Sequence, residues 1–315
     1  MKNRQYLKNS ILLCGESNGT KFKRQFTIVK RINEGSAAVC YEAYHEGSGR
    51  GILKEFYPQD ISLLALERTP QGQLVLSKDV ESLHEKFYKA KQEYIEPYET
   101  LLFAKQHGTD RDLDTFIPAF EIYHGCDDER NIIGTVYIWT PEPELETFDK
   151  ICDEIHKHPS LNPEHKLVIV LSAIESLTKC ICALHRAEML HRDIKPSNFG
   201  FLKCGNETLT QTLSLFDINS ICSVYSKSEA SMGTEGYWEP EAGYENANNQ
   251  TDIYSIGATL FHAIIVSDEV KENKYLFKKE NYAYLRELVD TSKLIQASEA
   301  NSHPRLRKTI LAYLG

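Results

Sequence analysis

The segment that most constrains this chain runs from His191 to Phe199 and reads His-Arg-Asp-Ile-Lys-Pro-Ser-Asn-Phe. It follows an amphipathic stretch with helical periodicity and precedes a short apolar stretch, so we predict a loop held between two buried elements. Asp193, Lys195 and Asn198 lie close together within it. A carboxylate that orients a hydroxyl, an ammonium that offsets phosphate charge and an amide that holds a metal ion are the groups that phosphoryl transfer requires.

Composition limits the class of protein. A chain of 315 residues is long enough for two lobes that share a cleft, and its 41% hydrophobic and 26% charged residues are typical of a soluble globular protein. A net charge of −9 argues against nucleic acid as a partner, because proteins that bind the phosphate backbone carry a basic excess. We find no apolar stretch of transmembrane length and no signal peptide. The eight cysteines include no C-x-x-C pair, so we expect reduced thiols and a cytoplasmic location.

The run at His191 resembles the catalytic loop of the eukaryotic-like serine/threonine protein kinases, H-R-D-x-x-x-x-N. Three later segments follow in the order of that family. Asp217-Ile218-Asn219 lies where the family has Asp-Phe-Gly, and residues 233–241 resemble G-T-x-G-Y-x-x-P-E. Residues 252–257 resemble the start of helix αF, whose aspartate braces the catalytic loop. The resemblance covers about residues 24–265 and fades beyond them.

The resemblance implies an α+β protein with the two-lobed protein-kinase-like fold. The N-lobe, residues 1–140, would hold a small antiparallel β-sheet of five strands and the αC helix. The mainly helical C-lobe, residues 141–315, is expected to be truncated at its C-terminus or to have atypical last helices. An insert at about residues 57–80 is predicted to form a hairpin or ordered loop. This insert and the preceding Lys-Glu-Phe-Tyr-Pro stretch resemble bacterial-type members of the family.

Two N-lobe segments are implied to bind ATP. Asn33, Gly35 and Ala38 occupy the positions of the three glycines in the family's glycine-rich loop, which approaches the phosphates of ATP. A plain β-hairpin explains the same residues equally well. Lys54, in a short apolar strand, matches the lysine that pairs with the α- and β-phosphates. The alternative is an edge lysine whose stem alone is buried.

The helix predicted over residues 81–105 should supply a glutamate that reaches this lysine. Three glutamates compete for that role: Glu93, Glu96 and Glu99. Glu99 fits best, because it follows Pro97, which should kink or start a helix, and Phe103 lies one turn later.

Further elements are predicted from local pattern. Residues 115–123 and 132–139 are β-branched and aromatic, as expected for strands, and residues 141–144 form a proline-rich hinge. The helical lobe should begin near Phe148. Asn162 is placed to cap a long buried helix that leads to the catalytic loop.

The family resemblance implies transfer of the γ-phosphoryl group of ATP to serine or threonine hydroxyls of proteins. Asp193 would orient the nucleophile and Lys195 would neutralise the transferred phosphate. Mg²⁺ would be held by Asn198 and Asp217, while Lys54, positioned by Glu99, would anchor the nucleotide. Lys195 and Thr234 resemble the serine/threonine branch of the family.

Arg192, beside the predicted base, suggests regulation by a phosphate on the activation segment. The candidate acceptors are Ser220, Ser223, Ser226, Ser228 and Ser231. The alternative is that these serines are ordinary loop residues.

Two other functions remain open. A pseudokinase that binds nucleotide as a scaffold would explain the departures in the glycine-rich loop and in Asp217-Ile218-Asn219, although every charged catalytic group is present. A small-molecule phosphotransferase with the same fold would lack the Gly-Thr-x-Gly-Tyr-x-x-Pro-Glu segment.

Overall fold

The computed structural model describes residues 6–17, 20–59, 66–68, 72, 74–76, 81–108, 112–125, 135–141, 145–204, 207–225, 233–234, 236–238, 247–265, 296 and 308. Two compact units divide the chain. The first contains Met1–Glu96 and Ala119–Pro143, and the second contains Pro97–Pro118 and Glu144–Gly315. Residues 97–118, assigned to the N-lobe from sequence, therefore group with the second unit.

The first unit is a closed antiparallel barrel. Its six strands follow the order β1-β2-β3-β4-β8-β7, and they are β1 Ser10–Ser17, β2 Thr20–Glu34, β3 Ala38–His45, β4 Gly49–Phe56, β7 Glu121–Gly125 and β8 Val136–Pro141. Pairing of Leu13 with Gly125 and of Cys14 with His124 closes the barrel. The predicted sheet of five strands lacked β1, whose inward residues Ile11 and Leu13 are buried while Leu12 between them is exposed.

Two local expectations change in this region. Thr115 lies in helix α2, Asp112–Phe116, and the strand begins only at Glu121, so residues 115–120 are not part of the predicted strand. Cys14 is disulfide-bonded, which contradicts the expectation that all cysteines are reduced. Cys180 and Cys182 are free thiols.

The predicted insert contains an antiparallel hairpin of β5 Leu66–Arg68 and β6 Leu74–Leu76. Arg68 joins this hairpin to the barrel, because its guanidinium donates to both carboxylate oxygens of Glu55 at 2.8 and 2.6 Å. The hydroxyls of Tyr41 and Tyr137 donate to the same carboxylate, each at 3.0 Å. Every polar atom of the Glu55 carboxylate is thus paired in a site that water does not reach.

Helix α1, Glu81–His107, confirms the helix predicted over residues 81–105. Pro97 lies inside it and not at its start. Its buried side chains are Phe87, Tyr94, Ile95, Pro97, Tyr98 and Leu101.

The second unit is mainly helical, and its core helix leads to the predicted catalytic loop. Its longer helices are α3 Phe148–Lys157, α4 Pro163–Arg186 and α5 Asn249–Ile265. Asn162 caps α4 as predicted, since its Oδ1 accepts the His165 N–H at 2.9 Å. The described strands of this unit are β9 Leu145–Thr147, β10 Met189–Leu190, β11 Phe199–Cys204, β12 Glu207–Leu215 and β13 Cys222–Ser223.

Helix α4 is long and apolar enough to cross a membrane by length and composition, with a mean hydropathy of 2.0 over its most apolar window. This differs from the sequence-based expectation that no apolar stretch is of transmembrane length. Half of that window is buried inside the unit, where Leu177, Cys180 and Leu184 are fully enclosed. A buried core helix passes the same test, so α4 alone is weak support for a membrane segment.

Candidate active site

The loop after α4, residues 191–199, is held in place by one buried carboxylate. Asp252, near the start of α5 and fully enclosed, accepts the backbone N–H of Arg192 at 2.8 Å and that of His191 at 2.9 Å. His185, in the last turn of α4, contacts the same carboxylate through Nε2 at 2.9 Å. Arg192 has a φ of 66°, a conformation that non-glycine residues rarely adopt. The Asp252 bonds therefore fix a strained backbone directly beside Asp193.

Asp193, Lys195 and Thr234 form a closed hydrogen-bonded ring. Lys195 Nζ donates to Asp193 Oδ2 at 2.9 Å and to Thr234 Oγ1 at 2.7 Å. The Thr234 hydroxyl in turn donates to Asp193 Oδ1 at 2.7 Å. The structure thus brings together the predicted base, the predicted phosphate-neutralising cation and the threonine of the closing segment.

Asn198 completes the surroundings of the carboxylate. Its amide nitrogen donates to Asp193 O at 2.8 Å and to Asp193 Oδ2 at 2.9 Å. Burial opposes ionisation of Asp193, but the Lys195 ammonium and the hydrogen bonds from Lys195 and Thr234 hold its pKa below the usual value. The group is therefore ionised at neutral pH, where it can accept a hydrogen bond and orient a hydroxyl, as phosphoryl transfer requires.

His191 lies beneath this ring and is enclosed completely. Burial lowers its pKa, although the negative charges of Asp252, Asp193 and Asp217 oppose that change. Its Nε2 has no hydrogen-bond partner within the part of the chain that is described. A neutral imidazole is therefore the form that this position accommodates.

The segment that supplies Thr234 is anchored to α5. The Tyr237 carbonyl accepts the Ser255 hydroxyl at 2.6 Å, and the Tyr237 hydroxyl bonds to His262 Nδ1. Gly233 has a φ of +133°, and an added Cβ would lie 2.7 Å from the ring of Trp238. Only glycine fits there without movement of that ring. Residues 235 and 239–241 of the predicted motif lie outside the described residues.

Asp217 begins a short turn after β12. Residues Ile218–Ser220 form one turn of 3₁₀ helix, and the Phe216 N–H donates to Asn198 O at 2.8 Å. Asparagine is one of the non-glycine residues that best tolerate a left-handed backbone. The structure does not use that property, because Asn219 is not among the residues with positive φ. Its Oδ1 instead accepts a hydrogen bond from the Tyr98 hydroxyl.

The donor set suits magnesium. Both hydrogens of the Asn198 amide are used on Asp193, which leaves the amide oxygen as the atom that Asn198 offers to a cation. Amide and carboxylate oxygens are ligands that Mg²⁺ prefers. No cluster of three or more histidine, cysteine, aspartate or glutamate residues occurs in the described ranges that could hold a metal.

The predicted phosphate-binding loop is a tight hairpin between β2 and β3. Asn33 pairs with Cys40 in the ladder, and the Gly35 N–H donates to Ala38 O at 2.8 Å. That amide is therefore used within the hairpin. A Cβ added at Gly35 would meet nothing within 4 Å, so the space over the turn is open. Lys54 lies on β4, half-buried and paired in the ladder with Cys40 and Ile138.

Glu99 is exposed and makes no ion pair with any described residue. Glu96 is also exposed, and Glu93 lies 3.8 Å from Lys89 on the same helix. Lys54 belongs to the first unit and Glu99 to the second, and the pairing of these two residues stays a prediction. The choice of Glu99 relied on Pro97 kinking or starting a helix, and Pro97 lies inside a helix that continues to His107.

Two of the five candidate phosphorylation sites lie among the described residues, and the hydroxyl group of each makes a hydrogen bond within the protein. Ser220 is fully enclosed, and its hydroxyl donates to Asp217 O at 3.0 Å. Ser223 lies in β13, paired with Met189, and its Oγ accepts the Tyr225 N–H at 3.3 Å. Ser226, Ser228 and Ser231 lie outside the described residues, as do hinge residues 142–144.

Sequence reasoning missed His185 and Tyr98. The role of His185 could not be recognised from the sequence, because a histidine in the last turn of a helix is common for electrostatic reasons. Tyr98 carried no signal, since its partner Asn219 is 121 positions away in the chain.

Comparison with known proteins places this arrangement in a family. A family model described as the protein kinase domain matches residues 103–310, more than half of the chain. That range includes Asp193, Lys195, Asn198 and Asp217 but not Lys54. The fold is similar to that of the ROP18 kinase domain solved in complex with AMP-PNP and sucrose, with a TM-score of 0.52 at 15% identity. The similarity covers 97% of this chain and 86% of that one.

Curated relatives are distant and match over part of their length. Dual specificity protein kinase zak2 of Dictyostelium discoideum is 33% identical over 104 residues, which are 30% of this chain and 16% of that protein. Serine/threonine-protein kinase PknL of Mycobacterium tuberculosis is 30% identical over 108 residues, 32% of this chain and 25% of the relative. Myosin light chain kinase A of D. discoideum is 23% identical over 209 residues, 56% of this chain and 68% of the relative. Bacterial and eukaryotic proteins both occur among them, so bacterial-type membership stays a prediction.

Proposed function

Because this chain belongs to the protein kinase domain family, a family of phosphotransferases, we propose that it transfers the γ-phosphoryl group of ATP to serine or threonine hydroxyls of proteins. The observation that carries the proposal is the ring of Asp193, Lys195 and Thr234. Serine/threonine-protein kinases among the distant relatives support the choice of acceptor.

In the proposed reaction Asp193 accepts a hydrogen bond from the hydroxyl of the protein substrate. This bond orients the hydroxyl oxygen toward the γ-phosphorus of ATP. Lys195, already bonded to the same carboxylate, offsets the charge of the phosphoryl group as it moves. Asn198 and Asp217 would hold Mg²⁺, which neutralises charge on the phosphates when bound. Lys54 would anchor the nucleotide, with Asn33, Gly35 and Ala38 in the adjoining hairpin. Most of the rate then comes from positioning and charge stabilisation.

A second candidate is a nucleotide-binding scaffold without turnover. The family match begins at residue 103 and leaves the hairpin and Lys54 outside it. The Gly35 N–H, which a phosphate would require, is bonded within the hairpin. These two observations favour the scaffold, and the intact ring around Asp193 favours the enzyme.

The deciding experiment measures phosphate transfer from ATP and Mg²⁺ to a generic basic protein. Wild type is compared with Asp193→Ala and Asp217→Ala, and Asp112→Ala, an exposed acid of the second unit, is the control. We expect a loss of at least about 100-fold in both site variants and none in the control. Mass spectrometry of the product would identify the acceptor. Nucleotide binding by wild type without transfer would establish the scaffold.

A further inference from the structure

The turn that carries Asp217 contains no glycine and is held by side chains from three places. Arg192 Nε donates to Ser220 O at 2.8 Å, and the Ser220 hydroxyl donates back to Asp217 O at 3.0 Å. The third contact comes from helix α1, where the Tyr98 hydroxyl donates to Asn219 Oδ1. The first contact comes from Arg192 of the catalytic loop and the second lies within the turn itself. The third connects the turn to a separate helix.

Tyr98 is built into the core and is not a surface residue. It is 1% exposed and lies on the buried face of α1, one turn before the fully enclosed Leu101. A phenol ring in such a place contributes apolar packing, but its hydroxyl needs a hydrogen-bond partner because a buried unpaired hydroxyl is costly. The Asn219 side chain supplies an acceptor for it.

Asn219 is the residue at which this chain departs from the Asp-Phe-Gly pattern. A glycine there has no side chain and could not accept the Tyr98 hydrogen bond. The Asn219 backbone lies in a 3₁₀ turn outside the left-handed region, so the asparagine introduces no strain. The departure therefore adds a bond between α1 and the turn at no conformational cost.

We propose that Tyr98 is a positioning residue which, through Asn219, holds the turn in the arrangement that presents Asp217 to the magnesium–nucleotide complex. This inference rests on the proposed function, because it assigns Asp217 to the metal. A turn that is released from α1 samples other arrangements, and the apparent affinity falls with the fraction of molecules that remain competent to bind. One neutral hydrogen bond corresponds to about a fivefold effect.

Hydrogen–deuterium exchange tests the bond itself and requires no activity. The Ile221 N–H, bonded to Ile218 O at 3.0 Å, reports on the turn. We expect faster exchange around residue 221 in Tyr98→Phe and in Asn219→Ala, with no further increase in the double variant. Tyr123→Phe is the matched control, because Tyr123 is also buried and its hydroxyl donates to Glu121 in the barrel. Unchanged exchange in both single variants would overturn the proposal.

Titration with Mn²⁺–AMP-PNP then tests positioning. We expect Tyr98→Phe and Asn219→Ala each to bind about fivefold more weakly, and the double variant to be no worse than either one. Binding equal to wild type, or losses that multiply to about 25-fold, would refute the positioning role.

Asp217→Ala separates the positioning role from the proposed function. If this variant binds like wild type, or if wild type does not bind at all, the proposed function fails. In that case the positioning role falls with it, while the exchange result still decides whether the Tyr98–Asn219 bond holds the turn.

Discussion

Replacement of Asp252 by asparagine should loosen the catalytic loop and destabilise the second unit. The carboxylate accepts two backbone N–H groups, from His191 and Arg192, on different oxygens. Asparagine has the same shape, but one of its terminal atoms is an amide nitrogen that cannot accept. In either orientation one buried N–H therefore faces another donor. An unsatisfied buried donor costs about 1–3 kcal/mol, and loss of the charge weakens the remaining bond by about 1 kcal/mol, so we expect about 2–4 kcal/mol in total.

Urea unfolding followed by circular dichroism measures this change in the free energy of unfolding. Asp112→Asn is the matched control, because Asp112 and its partner Arg186 are both more than half exposed and such pairs contribute about 0–1 kcal/mol. Asp252→Asn should also lower any phosphate transfer, since Arg192 is free to leave its φ of 66° once its N–H is released. A destabilisation no larger than that of Asp112→Asn would show that these bonds do not hold the loop.

Two further predictions concern buried ionisable groups. His191 has a lowered pKa in the folded state, chiefly through burial, so the unfolded chain takes up a proton below pH 6.5 while the folded protein does not. Stability should fall by up to about 1.4 kcal/mol between pH 7.5 and 5.5, and thermal unfolding of His191→Gln should lack that part of the slope. Arg68→Met should cost about 3–5 kcal/mol in urea unfolding, because Glu55 remains buried without its cation. Adding Glu55→Gln should recover part of that loss, and full additivity of the two changes would contradict a coupled pair.

The catalytic loop could be predicted because its information is local. Asp193, Lys195 and Asn198 are fixed by spacing along the chain, and the helix before them and the strand after them follow from apolar periodicity. The brace at Asp252 was also predicted, but only through the family resemblance. The structure supplies the two backbone bonds that explain why an acid is needed there.

The remaining features depend on contacts between distant segments. Glu55 was read only as the residue after Lys54, and a glutamate in an apolar strand gives no sign that it is fully enclosed. Its partner Arg68 lies in an insert whose pattern predicted a hairpin but not where the hairpin packs. Glu99 was chosen from the expected effect of Pro97 on the helix, and the helix tolerates that proline. The local pattern carried no information on the burial of Glu55 or on the packing of Arg68, and a local preference was overridden only at Pro97.

The choice between an enzyme and a scaffold can also be argued from the energy of burying charge. Removing Asp193 and part of the Lys195 side chain from water is unfavourable, and buried ion pairs are often no more stable than apolar residues of similar size. Asp193 is 8% exposed, and its carboxylate needs Lys195, Thr234 and Asn198 to satisfy it. A module selected only to fold and bind would lose little by replacing this set. Its retention as a complete ring is therefore better explained by chemistry at Asp193 than by stability, and this favours phosphate transfer over a passive scaffold.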